Sequence, residues 1–194
     1  MTILCATQNP GKLSEIQTIL QGLPVTVTNP AEVKLPDFDV EETGTTFAAN
    51  ALLKAQAFAE KSGLPSLSDD SGLEVMALHG QPGVYSKRFV PGSDADRNQA
   101  LLKALEGKTD RRAQFTTVMC LYDPTTKKAE YFEGEVKGTI IHESRGESGF
   151  GYDPVFMPDG YDQTFGELGQ DVKNQLSHRA RALHQVKDYL QHLS

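Results

Sequence analysis

Apolar and polar positions along the chain switch between two periods. The opening TILCAT (2–7) is a short, β-prone apolar run bounded by turn residues, which predicts a buried strand. After it, Leu13, Ile16, Ile19, Leu20 and Leu23 recur at helical spacing, and Gly22 and Pro24 mark the end of that helix. VTVT (25–28) predicts a second strand, and the proline-rich, acidic stretch 29–45 a long loop. TTFAANALLKAQAFAEKSG predicts a strong helix stopped by Gly63 and Pro65. PSLSDDSGLEVMAL reads as a short strand, an acidic turn and a second apolar strand, and HGQPGVYSKRFVPG as loop. SDADRNQALLKALEG predicts a helix with Ser93 as N-cap, Asp96 three residues on, and Gly107 just past the end. AQFTTVMCLYDPTTKKAEYFEGEVKGTII reads as two long strands around the DPTTK turn and then a third, and SRGESGFGYDP (144–154) as a glycine-rich loop. QLSHRARALHQVKDYLQHL closes the chain as one helix, with Leu176, Ala180, Leu183, Val186, Leu190 and Leu193 along one face. Helices alternating with strands, followed by a hairpin region, predict a mixed α/β sheet.

Composition narrows the function classes. With 194 residues the chain can bury a core without disulfide or metal staples. A net charge of -7 argues against nucleic-acid binding, which leaves a basic footprint. It leaves room for a small polyanionic substrate held in a local basic pocket. The two cysteines, Cys5 and Cys120, each lie inside an apolar run and read as small buried hydrophobes. There is no CxxC pair, no signal-peptide pattern and no apolar run of membrane-spanning length, so a soluble cytoplasmic protein is expected.

Four stretches carry polar groups that folding alone does not call for: the opening loop from Thr7 to Lys12, the acidic pair Glu41-Glu42, the triplet Asp69-Asp70-Ser71, and the late cluster GFGYDP…K…SHR. ATQNPGKLSE has the outline of a strand-to-helix phosphate loop, yet Ala6 and Leu13 break the P-loop spelling. Lys12 sits where the helix begins, beside backbone N–H groups that favour an anion. In LSDDSG, adjacent strand residues point to opposite faces, so one of Asp69 and Asp70 points inward. With Glu41 or Glu42 it would form an all-oxygen site suited to Mg²⁺; the competing reading is a plain Asp-Ser-Gly turn. In SGFGYDPVF, three glycines let backbone approach a ligand and an aromatic could stack on a base, or the loop could pack its aromatics into the core. In SHRARAL, Ser177 can cap the last helix and put His178 and Arg179 in its first turn, where cations oppose the helix dipole unless a ligand compensates. Lys12, Lys54 and Lys173 are the candidate phosphate partners, with Lys12 a stronger case than Lys54. Nucleophilic catalysis has little support: there is no G-x-S-x-G elbow and no H-E-x-x-H pair.

Taken together, ATQNPGK, EETGTTFAANALLKA, LSDDSGLEV, SGFGYDPVF and SHRARAL resemble, in order and nearly end to end, the motifs of the non-standard purine nucleoside triphosphate pyrophosphatases, the inosine triphosphatase family. That resemblance implies one domain over 1–194, with a long mixed sheet flanked by helices and two lobes around a central active-site cleft. It also implies a homodimer that uses Mg²⁺ to split inosine, deoxyinosine and xanthosine triphosphates into the monophosphate and pyrophosphate. By motif, Thr7, Gln8, Asn9, Pro10, Gly11 and Lys12 would hold the triphosphate, with Lys54 nearby. Asp70 would be the general base and a metal ligand together with Glu41 or Glu42, and Ser71 would touch substrate. Phe150, Gly151, Tyr152, Asp153, Lys173, His178 and Arg179 would form the base and sugar pocket. Gln8 stands where the family commonly has Gly, Pro10 lies inside the loop, and Ala49 replaces a Glu, which leaves metal ligation to the remaining acids.

The implied chemistry is consistent with the residue types. Pyrophosphate leaves readily, so positioning and charge neutralisation matter more than covalent catalysis. Donors that favour a 6-oxo group would leave adenine's amino group unpaired. Two other readings compete: a nucleotide sensor without turnover, disfavoured by the intact Asp70, and a house-cleaning pyrophosphatase for modified pyrimidines or methylated nucleotides, disfavoured by SHR and SGFGYDP.

Overall fold

The computed structural model describes Met1 to His192; Leu193, placed above on the face of the last helix, lies outside the described residues. Six strands form one mixed sheet in the order β2-β1-β3-β4-β5-β6. They are β1 (Thr2–Cys5), β2 (Thr26–Thr28), β3 (Ser66–Val75), β4 (Arg112–Asp123), β5 (Lys128–Ile140) and β6 (Phe156–Pro158). The helices are α1 (Pro10–Leu20), α2 (Phe47–Ser62), α3 (Asp94–Ala104), α4 (Phe165–Leu176) and α5 (His178–His192). β1 runs parallel to both β2 and β3, whereas β6 is antiparallel to β5. The expected class, a mixed sheet flanked by helices, is what the chain forms.

Two compact units divide the chain. One comprises Met1–Asp70, Thr117–Glu133 and Ala180–Ser194, the other Ser71–Thr116 and Gly134–Arg179. In the first unit the period of two along the strands sorts side chains between two layers. Ile3, Cys5 and Leu67 pack with Ile16, Ile19 and Leu20 of α1 and with Ala182, Leu183, Val186 and Leu190 of α5. Leu4 and Ala6 pack with Phe58 of α2, while Ala51, Ala55 and Ala59 of that helix meet Cys120 and Tyr122. In the second unit Leu73, Val75, Leu101, Phe115, Ile140, Phe156 and Phe165 form a separate core. Both cysteines are free and buried, as expected, and burial pushes each thiol up to about 12.

Five local expectations need correction. The DDSG segment is not a turn: β3 continues through it without a break. Asp, Ser and Gly have turn propensity, but the ladder and the side-chain partners described below override it. The third strand expected within EVKGTII is the far end of β5, and the sixth strand comes later, at Phe156–Pro158. The helix expected to start at Gln175 is two helices: α4 ends at Leu176, Ser177 is extended, and α5 starts at His178. α1 ends at Leu20, leaving Leu23 packed against the same core from the following loop. The Gly83–Arg88 stretch, read as loop, winds into a 3-10 helix.

Candidate active site

The first group of polar residues lies in the first unit, and β3 sets its geometry. Asp69 has the parity of Leu67 and projects into the α1 layer, where its Oδ2 meets Lys12 Nζ at 2.8 Å. Asp70 has the parity of Ser68 and projects into the α2 layer. There its Oδ2 accepts from Asn50 Nδ2 at 2.9 Å, and Ser68 donates to the Ala51 carbonyl. Both carboxylates are buried, at 3% and 6% exposure, so the prediction that one points inward is exceeded.

Asn50 was not among the predicted site residues. It is fully buried on α2, and while its amide nitrogen holds Asp70 its Oδ1 accepts the Gly44 N–H at 2.7 Å. One side chain therefore fixes both the carboxylate and the end of the acidic loop. The signal was available: an Asn on a helix face whose other buried members are Ala51, Ala55, Phe58 and Ala59.

Lys54, one turn after Asn50, donates to Glu42 Oε1 and to the Asp69 carbonyl, both at 2.6 Å. Burial works against its charge, but Asp69, Glu42 and Asp70 outweigh that and hold its pKa above the usual lysine value. Asp70 shows the opposite balance. Burial raises its pKa and nearby Glu42 adds to the effect, more than Lys54, Asn50 and Lys12 can offset. A carboxylate whose pKa is pushed up by burial is better suited to take a proton than one of ordinary pKa. Of the adjacent acids, Glu42 is half-buried on Lys54 and Glu41 is exposed.

The opening loop is organised differently from the expected N–H cradle. Asn9 caps α1, its Oδ1 accepting from Gly11 N at 2.9 Å and Lys12 N at 3.2 Å, and Pro10 has no N–H to give. Leu13 N is engaged by the Asn9 carbonyl. The first-turn N–H groups that were to receive a phosphate are thus already used, and side chains carry the loop's positive charge. Gln8 turns away from α1 and donates to the Pro36 and Phe38 carbonyls, both at 3.1 Å, which ties the opening loop to the acidic one. Thr7 Oγ1 accepts from Asn9 N at 3.2 Å.

The second group lies in the second unit. Asp153 and Lys173 are 2% exposed and form a 2.6 Å ion pair. Asp153 Oδ2 also accepts the Phe150 N–H at 2.8 Å. Glycine is required just before Phe150: a Cβ on Gly149 would lie 2.1 Å from that same oxygen. The Phe150 ring has Lys173 Nζ over it at 4.1 Å and the Arg179 guanidinium at 5.6 Å. Arg179, 1% exposed, donates to Ser71 Oγ at 3.1 Å, and His178 stacks on Phe115 at 4.8 Å. In the first turn of α5, His178 thus lies on an aromatic face, and Arg179 lies against a hydroxyl and the Phe150 ring. Tyr152 packs into the core of this unit and donates to the Ser86 carbonyl at 2.8 Å, and burial pushes its hydroxyl pKa up.

Among the described residues no three His, Cys, Asp or Glu side chains gather closely enough to hold a metal by themselves. The first group still fits Mg²⁺, which favours one or two carboxylates and takes its remaining oxygens from phosphate and water. Its donors are all oxygen, and a cation beside Asp70 would relieve the cost of its buried charge.

Comparisons with known proteins place the chain in a family. The Ham1 family profile matches residues 3–189. A protein of Deinococcus radiodurans named dITP/XTP pyrophosphatase is 49% identical over 93% of this chain and 88% of its own length. One of Porphyromonas gingivalis with the same name is 46% identical over 97% and 96%. Among solved structures, a HAM1 protein from Coxiella burnetii superposes with a TM-score of 0.92 at 40% identity, covering 99% of both chains. The Staphylococcus aureus Ham1 protein superposes with a TM-score of 0.90 at 40% identity, covering 100% of both. By sequence and by fold, this chain belongs to the Ham1 family.

Proposed function

We propose that the chain hydrolyses the α–β phosphoanhydride of ITP, dITP and XTP, releasing the nucleoside monophosphate and pyrophosphate, and so clears deaminated purines from the cytoplasmic nucleotide pool. The observation that carries this is the placement of Asp70, buried in β3, held by Asn50 and reluctant to ionise in a field of lysines. The named relatives supply the substrate class. As in the resemblance, the enzyme acts as a homodimer, and 1–194 forms a single functional domain.

Asp70 accepts the proton of the attacking water, oriented by the Asn50 amide. Lys54 neutralises phosphate charge as it builds on the leaving pyrophosphate, and Lys12 holds the triphosphate equally in the ground and transition states. Lys12 leaves Asp69 and Lys54 leaves Glu42 to meet the phosphates, so each cation is stored on a carboxylate until substrate arrives. Asp70 and Glu42 would hold Mg²⁺, which supplies charge neutralisation and Lewis acidity when bound. Glu41, exposed, is the lesser candidate ligand. Phe150 offers a face to the purine, and Ser71, Lys173, His178, Arg179 and the Gly151–Asp153 backbone offer donors to its 6-oxo edge and its sugar. Adenine's 6-amino group would leave those donors unmatched.

Incubation with Mg²⁺ and a panel of ITP, dITP, XTP, ATP, GTP and dUTP tests the proposal by its products. Pyrophosphate and monophosphate from the first three are expected. Orthophosphate release, or equal turnover of ATP, refutes it.

A further inference from the structure

Helix α3 holds the glycine loop at both ends of a single residue. Gly151 N–H donates to Asp94 Oδ2 at 2.7 Å, and the Gly151 carbonyl accepts from Asn98 Nδ2 at 3.0 Å. Asp94 and Asn98 are four residues apart, so both project from one face of the helix. Gly151 has a φ of +65°, and a Cβ built on it would meet nothing within 4 Å. Packing around that position therefore does not fix its conformation, and glycine on its own moves readily between positive and negative φ. The two hydrogen bonds supply what packing does not.

The clamp is itself braced. Ser93 and Asp96 form a capping box at the start of α3. Arg97 pairs with Asp94 and donates to the Gly92 carbonyl at 2.8 Å. Asn98 is 3% exposed, and among the described residues no donor reaches its Oδ1. Turning the amide round would set that oxygen against the Gly151 carbonyl. For α3 alone an alanine would serve better, in helix propensity and in leaving no buried acceptor. A residue that breaks such local rules is expected where function asks for it, and what Asn98 provides is its bond to the loop.

We infer that Asp94 and Asn98 are positioning residues for base recognition: they fix the two peptide planes flanking Gly151, and with them the direction in which Phe150 to Asp153 present ring and backbone to a 6-oxopurine. The inference rests on the assignment of that segment to the base site above.

The test uses the full chain with Asp94→Ala, Asn98→Ala and the conservative Asp94→Asn, whose amide oxygen can still accept from Gly151. Steady-state kinetics with ITP and ATP are measured beside the thermal midpoint and the hydrogen exchange of the Gly151 amide. Both alanine variants are expected to stay folded, to raise the KM for ITP more than they change kcat, and to lose about tenfold or more of the ITP-over-ATP preference in kcat/KM. The Gly151 amide exchanges faster in both, and Asp94→Asn keeps most of the preference. A wild type that discriminates, with alanine variants that discriminate equally or protect the Gly151 amide equally, overturns the inference alone. A wild type that does not favour ITP overturns the functional proposal and the inference together.

Discussion

The Asn50 amide and the Asp70 carboxylate meet at 2.9 Å with neither side chain open to bulk water. The contact lets a carboxylate stay in an environment that resists its charge. Burial alone would favour the protonated acid, and a protonated Asp70 could not take a proton from water. Asn50→Ala removes the donor, so Asp70 should titrate higher still. The acidic limb of kcat/KM moves to higher pH, and stability falls by about 1–3 kcal/mol from unmade buried hydrogen bonds. A pH-rate profile with an unmoved acidic limb would remove Asn50 from this role.

Asp70→Asn should abolish turnover and leave the protein at least as stable as the wild type. The sign follows from linkage. The folded pKa of Asp70 is raised, so its ionisation opposes folding; the penalty is absent below the unfolded value of about 4 and complete above the folded pKa. The variant's advantage in Tm should thus appear as pH rises through that interval and persist at neutrality. Calorimetry at several pH values measures it. A lower Tm at neutral pH would mean that the lysines stabilise the charged form more than burial opposes it.

Lys12→Ala should act mainly on substrate affinity. Its ammonium lies on Asp69 and retains partial exposure. The KM for ITP rises with little change in kcat, the signature of lost uniform binding. An unchanged KM would take the opening loop out of phosphate recognition.

Lys173 and Asp153 form a buried ion pair, and breaking such a pair from one side leaves an uncompensated charge costing about 3–5 kcal/mol. Lys173→Met should therefore destabilise strongly, and the double variant with Asp153→Asn should recover most of the loss. Denaturant midpoints for the four proteins of the cycle give the coupling, and additive effects would show that the pair is not a unit.

Much of this architecture was legible in the sequence. Periodicity placed α1, α2, α3 and the long hairpin, and the asparagine-proline pair at 9–10 is the ordinary grammar of a helix start, with an N-cap followed by proline at the first position. The cap that this pair forms occupies the first-turn N–H groups, which the sequence reading assigns instead to an anion. DDSG looked like a turn because its residue types favour one, whereas its strand conformation depends on partners 20 and 57 residues away in sequence, Asn50 and Lys12. α4 escaped notice because Gly166 and Gly169 depress its helix propensity, and Gly169 breaks the helical backbone outright. Its Thr164–Glu167 capping box was nonetheless a readable start signal. The α3 clamp on Gly151 was not legible at all, since its members are more than 50 residues apart and no periodicity links them.

Asp69 and Asp70 are the same chemical group, and their different employment is decided by parity. From Ser66 to Asp70 the odd positions of β3 face the α1 layer and the even positions the α2 layer, so deleting Ser66 would hand the lysine of α1 the carboxylate that now serves the asparagine of α2. Changes that keep count along β3 can be absorbed one side chain at a time. A change in count would turn each following side chain to the opposite layer at once and leave Asn50 facing Ser71, which makes the length of this strand matter as much as its composition.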